Sequence, residues 1–493
     1  MQSINTKSII FYNGSTKRSS CGYCKKENSS FSNGMWASSL SVVAYQDMID
    51  RGWRRAGKYC YKALMEKTCC PLYTIRCEAL NVELSKSQKK IIKRVTTFLK
   101  NGECEKNPVN TEQAEREPIM KYKLEDIQNH DDKMKITNTD YLFDEEQSAS
   151  VIGSHNSTLI TTNKEDNKMV EPLNLSCNSD TKKEPKKFKP GEGADPNLPS
   201  SKKKKLLRIQ KKLAKDPNFV TTISAPYQKC LEEFIAENDS VSTGGLQKLR
   251  IKLLMIKSSS NSFEDEYAVY QKYQTVIHGD EIERCSRQQF IQFLINSPLK
   301  EEKSKHPDHP GYGSFHQQYW LGDKLIAVGV IDILPKCVSS VYLFYDPDYH
   351  NLVLGTYSSL REICLVRQLY KMSPDLKYYY MGFYIHSCSK MRYKAKFRPS
   401  YLLCPLKYTW HAIDKCIQKL DNEKYSIFDV SGDIQDADIF TIDNIPVLYR
   451  GSLMHYSAFK IIGNNENEDE RIKEYKILIG PKLARKLIYC IMD

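Results

Sequence analysis

Hydrophobic patterning predicts a region of mixed strands and helices from about residue 246 onward. Apolar runs bounded by turn residues predict strands at 249–255, 313–321, 325–334, 338–345 and 378–385. Helical spacing of apolar positions predicts helices at 264–277, 286–295 and 358–372. Three successive strands, a helix and a further strand indicate an α+β sheet domain with some parallel pairing.

Two other segments predict helices with basic surfaces. Residues 85–99 place apolar side chains at helical spacing after a serine that can cap the helix. Residues 202–215 contain eight basic and no acidic residues, with leucine and isoleucine at helical spacing. A solvated helix, a nuclear-import signal and an RNA-facing helix all fit this second segment, and the pattern does not rank them.

The charge is distributed unevenly along the chain. The 493 residues include 73 Lys and Arg against 60 Asp and Glu, a net charge of +13, and 40% are hydrophobic, which indicates a globular protein with a basic bias. Residues 101–180 contain 17 acidic and 8 basic residues, a net of −9, and lack sustained periodicity. We therefore expect a largely disordered linker there. Residues 1–100 contain 18 basic and 6 acidic residues, a net of +12.

These shifts divide the chain into five predicted segments. They are a small Cys-rich domain at 1–100, an acidic and then Lys/Pro-rich disordered linker at 101–201, a basic helix and connector at 202–245, an α/β domain at 246–430, and a C-terminal extension of that domain at 431–493. Because no apolar stretch reaches the roughly 20 residues that cross a bilayer, and no secretory signal opens the sequence, we expect a soluble intracellular protein without a membrane partner.

Four of the sixteen cysteines group near the N-terminus. Cys21 and Cys24 form a C-x-x-C pair, and Cys69 and Cys70 are adjacent. Four thiolates in an intracellular protein can hold a tetrahedral zinc ion or an iron–sulfur cluster. Adjacent side chains point apart in an extended chain, which modestly favours a cluster over one small ion. Redox-inert cysteines in a packed core are the alternative.

Several long motifs resemble the arginyl-tRNA–protein transferase family. In the N-terminal part they are the C-x-x-C pair, residues 45–55 (YQDMIDRGWRR) and residues 69–76 (CCPLYTIR). In the second half they are residues 316–321 (HQQYWL), 327–335 (AVGVIDILP) and 380–388 (YMGFYIHSC). The resemblance covers about 20–100 and 246–420.

This resemblance implies an enzyme that transfers arginine from Arg-tRNA to the α-amine of proteins beginning with Asp, Glu or oxidised Cys. The products would enter the N-degron route, so ubiquitin-pathway machinery is an indirect partner, in the cytoplasm and nucleus. It also implies a GNAT-like α/β fold for the second half. The four cysteines would carry a 4Fe-4S iron–sulfur cluster or zinc, and no coenzyme A is expected because the full cradle pattern for it is not evident.

Two residues are catalytic candidates. Asp332 is a polar residue inside an apolar strand, where it would orient the attacking amine or accept its proton. A solvent-facing Asp, or a buried Asp paired with Arg or Lys, is an equal alternative. His316 would donate to an oxyanion or to the tRNA terminus, and a structural histidine is the alternative.

An acidic N-terminal residue needs a cationic partner, and a bidentate arginine suits a carboxylate. Arg361, Arg392 and Lys394 are the cationic candidates for substrate binding, with Gln317 as a polar neighbour. Arg361 is chosen because it follows an expected turn at Gly355, which itself would let backbone N–H groups meet a phosphate. Solvent-exposed helix charges and a simple turn are the alternatives.

The basic N-terminal segment also mixes cations with aromatic residues. Arg51, Arg54 and Arg55 surround Trp53, a combination suited to tRNA phosphates and to stacking on the unpaired CCA end. Aromatic core residues beside surface charges are the alternative. Two other functional classes fit parts of the sequence: a non-catalytic RNA-binding metalloprotein and a GNAT-type acetyltransferase.

Overall fold

Strands and helices are mixed along the part of the chain that the computed structural model describes, residues 7–12, 14, 17–102, 214, 229–256, 260–431, 440–462 and 466–491. The strands are β1 (Ser8–Tyr12), β2 (Lys17–Ser19), β3 (Ser30–Ser39), β4 (Arg54–Ala56), β5 (Tyr59–Ala63), β6 (Tyr73–Glu78), β7 (Leu249–Met255), β8 (Gly313–Leu321), β9 (Lys324–Leu334), β10 (Cys337–Tyr345), β11 (Tyr378–Tyr384), β12 (Ser400–Leu403), β13 (Trp410–Ala412), β14 (Pro446–Tyr449), β15 (Ser452–His455) and β16 (Leu487–Ile491).

The α-helices are α1 (Val42–Ile49), α2 (Lys86–Asn101), α3 (Leu231–Gly244), α4 (Phe263–Tyr273), α5 (Arg287–Phe290), α6 (Leu354–Tyr370), α7 (Ser389–Arg392), α8 (Ile413–Leu420), α9 (Tyr456–Ile462), α10 (Glu466–Ile479) and α11 (Pro481–Ala484). Two π-helical turns, Gln274–His278 and Ile291–Ile295, continue α4 and α5. None of the helices in the described ranges is long and apolar enough to cross a membrane.

Most predicted elements of the second half are present. Strands β7 to β11 begin and end within one residue of their predicted bounds. Helix α2 begins where it was predicted, because the Ser85 side chain and Gln88 cap each other's backbone in a capping box. The prediction for α6 was wrong at its start: the helix begins at Leu354, so Gly355 lies inside it rather than in a preceding turn. The predicted disordered linker, apart from 101–102, and the predicted helix at 202–215, apart from residue 214, lie outside the described residues.

One sheet has the strand order β13-β12-β6-β11-β10-β9-β8-β7. Strands β7 to β10 are antiparallel neighbours, and α6 then returns the chain to β11, which pairs parallel to β10. Strand β6 comes from the N-terminal segment and lies between β11 and β12. The N-terminal segment therefore contributes a central strand to the sheet of the second half.

The other sheet has the order β15-β14-β16-β1-β3-β5-β4, with β2 also paired to β3. Here C-terminal strands join N-terminal ones, since β16 pairs parallel to β1. The described parts of 7–102 and 229–491 belong to one structural unit. The predicted domains stay a prediction about independent folding, but strand pairing crosses their boundaries at 100 and 430.

Helices cover both faces of the second-half sheet. Helices α2, α3 and α6 pack on one face in the largest apolar core, and α4 with α5 packs on the other. Helices α1, α9 and α10 cover the other sheet, which contains β1 and β16. A small fourth cluster joins Cys21 and Cys70 to Phe383, Ile385 and Met391. This cluster places the grouped cysteines beside the end of β11.

Candidate functional site

A cleft opens where β10 and β11 separate. The two strands pair only from Cys337 with Tyr378 to Ser339 with Tyr380, and the residues that follow in both strands line the opening. A bulge in the pairing of β11 with β6 and a left-handed backbone at Gly382 turn the end of β11 away. Residues of both strands, of α6 and of the N-terminal segment surround this opening.

The lining of this cleft is basic and hydroxyl-rich. Its cationic residues are Arg54, Arg55 and Lys394. No Asp or Glu is among the described residues that line it. Hydroxyl groups come from residues on β10, β11, α6, the N-terminal segment and the turn after α7: Ser339, Ser340, Ser358, Ser359, Tyr23, Tyr45, Tyr61, Tyr342, Tyr379 and Tyr393. The cleft is therefore suited to an anionic ligand.

Asp332 lies next to the cleft as the partner of Arg55. Arg55 donates from Nε to Oδ2 at 2.9 Å and from Nη2 to Oδ1 at 2.6 Å. Ser314 donates to the same Oδ1 at 2.7 Å, and the Asp332 side chain is fully buried. Burial tends to lower the pKa of Arg55, but the Asp332 charge outweighs it and raises that pKa. The structure therefore shows Asp332 as a buried Asp paired with Arg, which was the alternative to a catalytic role.

The neighbouring residues Trp53 and Arg54 are buried as well. Trp53 is 0% exposed and packs in the core between α1, α10 and the sheet that contains β1 and β16. Its ring therefore has no face available for a nucleotide. Arg54 is 6% exposed and donates from Nη1 to the Trp53 carbonyl oxygen at 2.6 Å. Arg51, with its guanidinium 4.3 Å from the Tyr408 ring centroid, is partly exposed and stays a predicted phosphate contact.

Two further predicted site residues, His316 and Gln317, lie inside the fold. His316 is buried, with Nδ1 2.8 Å from Glu266, and Gln317 is buried and accepts a hydrogen bond from Tyr319. Both satisfy polar groups inside the fold, and neither lines the cleft.

Of the three cationic candidates for substrate binding, one lines the cleft and two do not. Arg361 pairs with Asp239 at 2.7 Å outside the cleft lining, because it lies two turns into α6 rather than at its start. Lys394 lines the cleft and donates to the Phe383 carbonyl oxygen at 3.0 Å. Arg392 is exposed, two residues before it in the chain.

Four sulfurs converge as the sequence predicted. The Sγ atoms of Cys21, Cys24, Cys69 and Cys70 all lie within 4.8 Å of one another. The turn after β2 brings the first two together, since the Lys25 N–H donates to the Cys21 carbonyl oxygen, and the Cys69 N–H is bonded to the Ser29 carbonyl oxygen. Both adjacent cysteines reach the same site, so the argument that they point apart does not hold here.

The thiols differ in how readily they lose a proton. Burial tends to raise the pKa of Cys24, but hydrogen bonds from the Lys26 backbone and neighbouring thiols lower it to about 7. Burial raises the pKa values of Cys69 and Cys70 to about 11. Deprotonating four adjacent thiols without a cation is unfavourable, and a bound metal ion removes that penalty. The donor set therefore fits a metal.

One network in the cleft was not predicted. Tyr379 on β11 donates to the buried Glu362 carboxylate at 2.8 Å, and Ser340 and Ser359 line the same cleft. Burial, followed by the Glu362 charge, raises the Tyr379 pKa well above its ordinary value. A tyrosine run in a strand gives no sequence signal for this role, because the glutamate partner comes from a helix.

Comparison with known proteins gives matches in both halves of the chain. A family model described as "Arginine-tRNA-protein transferase, N terminus" matches residues 19–90. A second, described as "Arginine-tRNA-protein transferase, C terminus", matches residues 265–404. The two matches include the four cysteines and all of the residues that line the cleft.

Relatives that match over most of the chain carry the same description, and a bacterial relative with a different description matches part of it. Arginyl-tRNA–protein transferase 1 of Drosophila melanogaster is 40% identical over 503 residues, covering 98% of this chain and 99% of that protein. Arginyl-tRNA–protein transferase 2 of Arabidopsis thaliana is 36% identical, covering 86% and 78%. An aspartate/glutamate leucyltransferase of Pseudomonas savastanoi pv. phaseolicola is 34% identical over 152 residues, covering 30% and 57%.

Proposed function

The chain belongs to the arginyl-tRNA–protein transferase family, and from that premise we propose that it transfers arginine from Arg-tRNA to the N-terminal α-amine of proteins that begin with Asp, Glu or oxidised Cys. The proposal includes entry of the products into the N-degron route to ubiquitin-dependent degradation, and action in the cytoplasm and nucleus. The N-terminal residue of the acceptor is anionic in all three cases.

The charge of the cleft is the observation that carries the acidic specificity. Arg54, Arg55 and Lys394 line it, Asp332 neutralises Arg55 from behind the wall, and no Asp or Glu is among the described residues of the lining. A carboxylate that leaves water for such a site needs cationic hydrogen-bond donors. The bacterial relative's name, which specifies aspartate and glutamate, supports the same acceptor class.

The reaction needs little from the protein beyond placement. The neutral α-amine attacks the carbonyl carbon of the arginyl ester, an amide bond forms, and the ester bond to the tRNA ribose oxygen breaks. One amine proton is lost and the ribose oxygen gains one, so no cofactor is consumed. Since an α-amine has a pKa of about 8, part of it is already neutral at pH 7. Positioning and oxyanion donors then supply most of the acceleration.

Hydroxyl groups on the cleft wall are the source of oxyanion donors in this proposal. Ser340 lines the cleft and is such a donor, whereas Tyr379 already donates its proton to Glu362 and Ser359 donates to the Gly355 carbonyl oxygen. Preorganised donors of this kind stabilise charge that develops in the transition state. Asp332 acts in this scheme by holding Arg55 rather than by touching substrate.

The topology of the second half supports a GNAT-like domain. An antiparallel run from β7 to β10, a helix and a parallel β11 enclose a cleft where β10 and β11 diverge. The cleft would receive the aminoacyl end of tRNA in place of coenzyme A.

For the four cysteines we propose a single tetrahedral zinc ion. Four sulfurs bound at 2.3 Å around one ion lie roughly 3.8 Å apart, and these four lie within 4.8 Å of one another. An iron–sulfur cluster places its thiolates on different irons and spreads them further. Zinc would act as a structural link there, because Cys21 and Cys70 pack against Phe383 and Met391 of the cleft wall. Purification without oxygen, followed by metal and sulfide analysis, decides: iron with acid-labile sulfide would contradict this assignment.

Transfer of labelled arginine from charged tRNA tests the function directly. Peptides starting with Asp or Glu should be labelled, and a peptide starting with Ala should not. Labelling of all three would contradict the acidic specificity. No labelling by metal-loaded protein would favour the non-catalytic RNA-binding class, and labelling without any acyl-CoA excludes the acetyltransferase class.

A further inference from the structure

Arg54 presents an unfilled donor edge beside the cleft. Its Nη1 is bonded to the carbonyl oxygens of Trp53 and Ile49, whereas Nε and Nη2 have no hydrogen-bond partner. The side chain is 94% buried, since its exposed fraction is 6%. Leaving buried donors unbonded costs about 1–3 kcal/mol each, so an anion that reaches this edge recovers a free energy that the fold leaves unused.

The adjacent arginine shows which ligand fits that edge. Arg55 uses the same two atoms, Nε and Nη2, to hold both carboxylate oxygens of Asp332 at 2.9 and 2.6 Å. The geometry is the side-on, bidentate pairing of a guanidinium with a carboxylate. Arg54 therefore offers a second carboxylate site for which the described protein residues supply no carboxylate.

The surroundings of Arg54 explain how a ligand enters. The Phe383 ring centroid lies 5.3 Å from the Arg54 guanidinium, and both residues line the cleft. The free edge is closed to solvent, so binding includes a side-chain shift at this wall. Phe383 is well placed for it, because the strand ladder is irregular between Tyr380 and Phe383 and Gly382 has a φ of +68°.

We propose that Arg54 receives the side-chain carboxylate of the acceptor's N-terminal Asp or Glu through Nε and Nη2. The proposal rests on the proposed function and names the specificity-determining residue for it. A tRNA phosphate is the other anion that a guanidinium binds, but Arg54 is almost fully buried. A carboxylate on a one- or two-carbon stem reaches such a depth more readily than a phosphate carried by two ribose groups.

The experiment compares wild type, Arg54→Gln and Arg54→Lys on peptides that differ only in Asp or Asn at position one. For Arg54→Gln we expect kcat/KM on the Asp peptide to fall by about 100-fold, the size typical of truncating one partner of a buried charge pair. For the Asn peptide, which has no carboxylate for Arg54 to bind, kcat/KM should change by less than about 3-fold. KM for Arg-tRNA should stay unchanged. Arg54→Lys keeps the charge without the fork, so its loss should be intermediate.

A matched control and a second readout separate the possible failures. Arg250→Gln removes an exposed arginine that donates to the Gly322 carbonyl oxygen and to Asp323 at the β8–β9 turn, and it should alter none of these values. An unchanged Asp/Asn ratio in Arg54→Gln would overturn the proposal, and so would a loss confined to KM for Arg-tRNA, which would assign the edge to a phosphate.

Binding of the Asp and Asn peptides without tRNA, followed by fluorescence polarisation, tests Arg54 independently of turnover. If wild-type protein transfers no arginine yet binds the Asp peptide through Arg54, the proposed function fails and the receptor assignment stands. If Arg54→Gln binds the Asp peptide as tightly as wild type, the receptor assignment fails whatever the activity. Thermal unfolding of each variant shows that the folded protein is being compared.

Discussion

Arg54 and Arg55 are neighbours on one short strand, yet the same donor edge meets opposite surroundings. The edge of Arg55 is filled by Asp332 and flanked by Ser314, while that of Arg54 lies against Phe383 without a carboxylate. A buried guanidinium stabilises the fold when the protein supplies its counter-charge. The same group is available to a ligand when the protein does not. The stability of variants should therefore separate the two residues.

The largest effect is expected for Asp332→Asn. Removing the carboxylate leaves Arg55 charged and buried, which typically costs 3–5 kcal/mol, and we expect the free energy of unfolding to fall by about that amount. Denaturant unfolding of the full chain, followed by tryptophan fluorescence, measures it.

The double variant Arg55→Met with Asp332→Leu is the matched control. It removes both charges at similar volume and should recover most of the lost stability. A stable double variant that still transfers arginine would exclude Asp332 as a base. A loss below about 1 kcal/mol in Asp332→Asn would contradict the role of the pair in stability.

The elements around this pair could be predicted only where the signal is local. Strands β7 to β11 follow from apolar runs between turn residues, so their bounds were predicted within one residue. The position of β6 between β11 and β12 could not be predicted, since its partners lie about 300 residues further along the chain and any sheet edge could accept it. The Arg55–Asp332 pair depends on the same long-range pairing.

The candidate site divides in a similar way. The four cysteines were found from residue type and spacing, because few other roles suit four grouped thiols. The mix of cations and an aromatic ring at Trp53, Arg54 and Arg55 predicts a tRNA surface, since it suits phosphates and base stacking. All three are buried. The apolar Trp53 between charges was the available signal, and it pointed to the alternative of a core segment.

A smaller effect is expected for Ser314→Ala. Ser314 donates to Asp332 at 2.7 Å and accepts from Arg55 at 3.0 Å, so its loss leaves the bidentate pair in place. We expect a loss of about 1–3 kcal/mol in the same unfolding measurement, because the bonds to Asp332 and from Arg55 are both lost. The Ser297 hydroxyl bonds to the Ser314 hydroxyl but contacts neither charge of the pair. Ser297→Ala should therefore lose less stability than Ser314→Ala. A loss as large as that of Asp332→Asn would mean that the pair depends on the serine.

The smallest effect on stability is expected for Arg54→Met. The substitution gives up the Nη1 bonds to two carbonyl oxygens but also removes two unbonded buried donors, and it exposes no opposite charge. These contributions oppose each other, so the free energy of unfolding should stay within about 1 kcal/mol of wild type. The same variant should lose nearly all preference for Asp over Asn peptides. If it instead unfolds as readily as Asp332→Asn, Arg54 is a structural residue like its neighbour, and the contrast between the two arginines disappears.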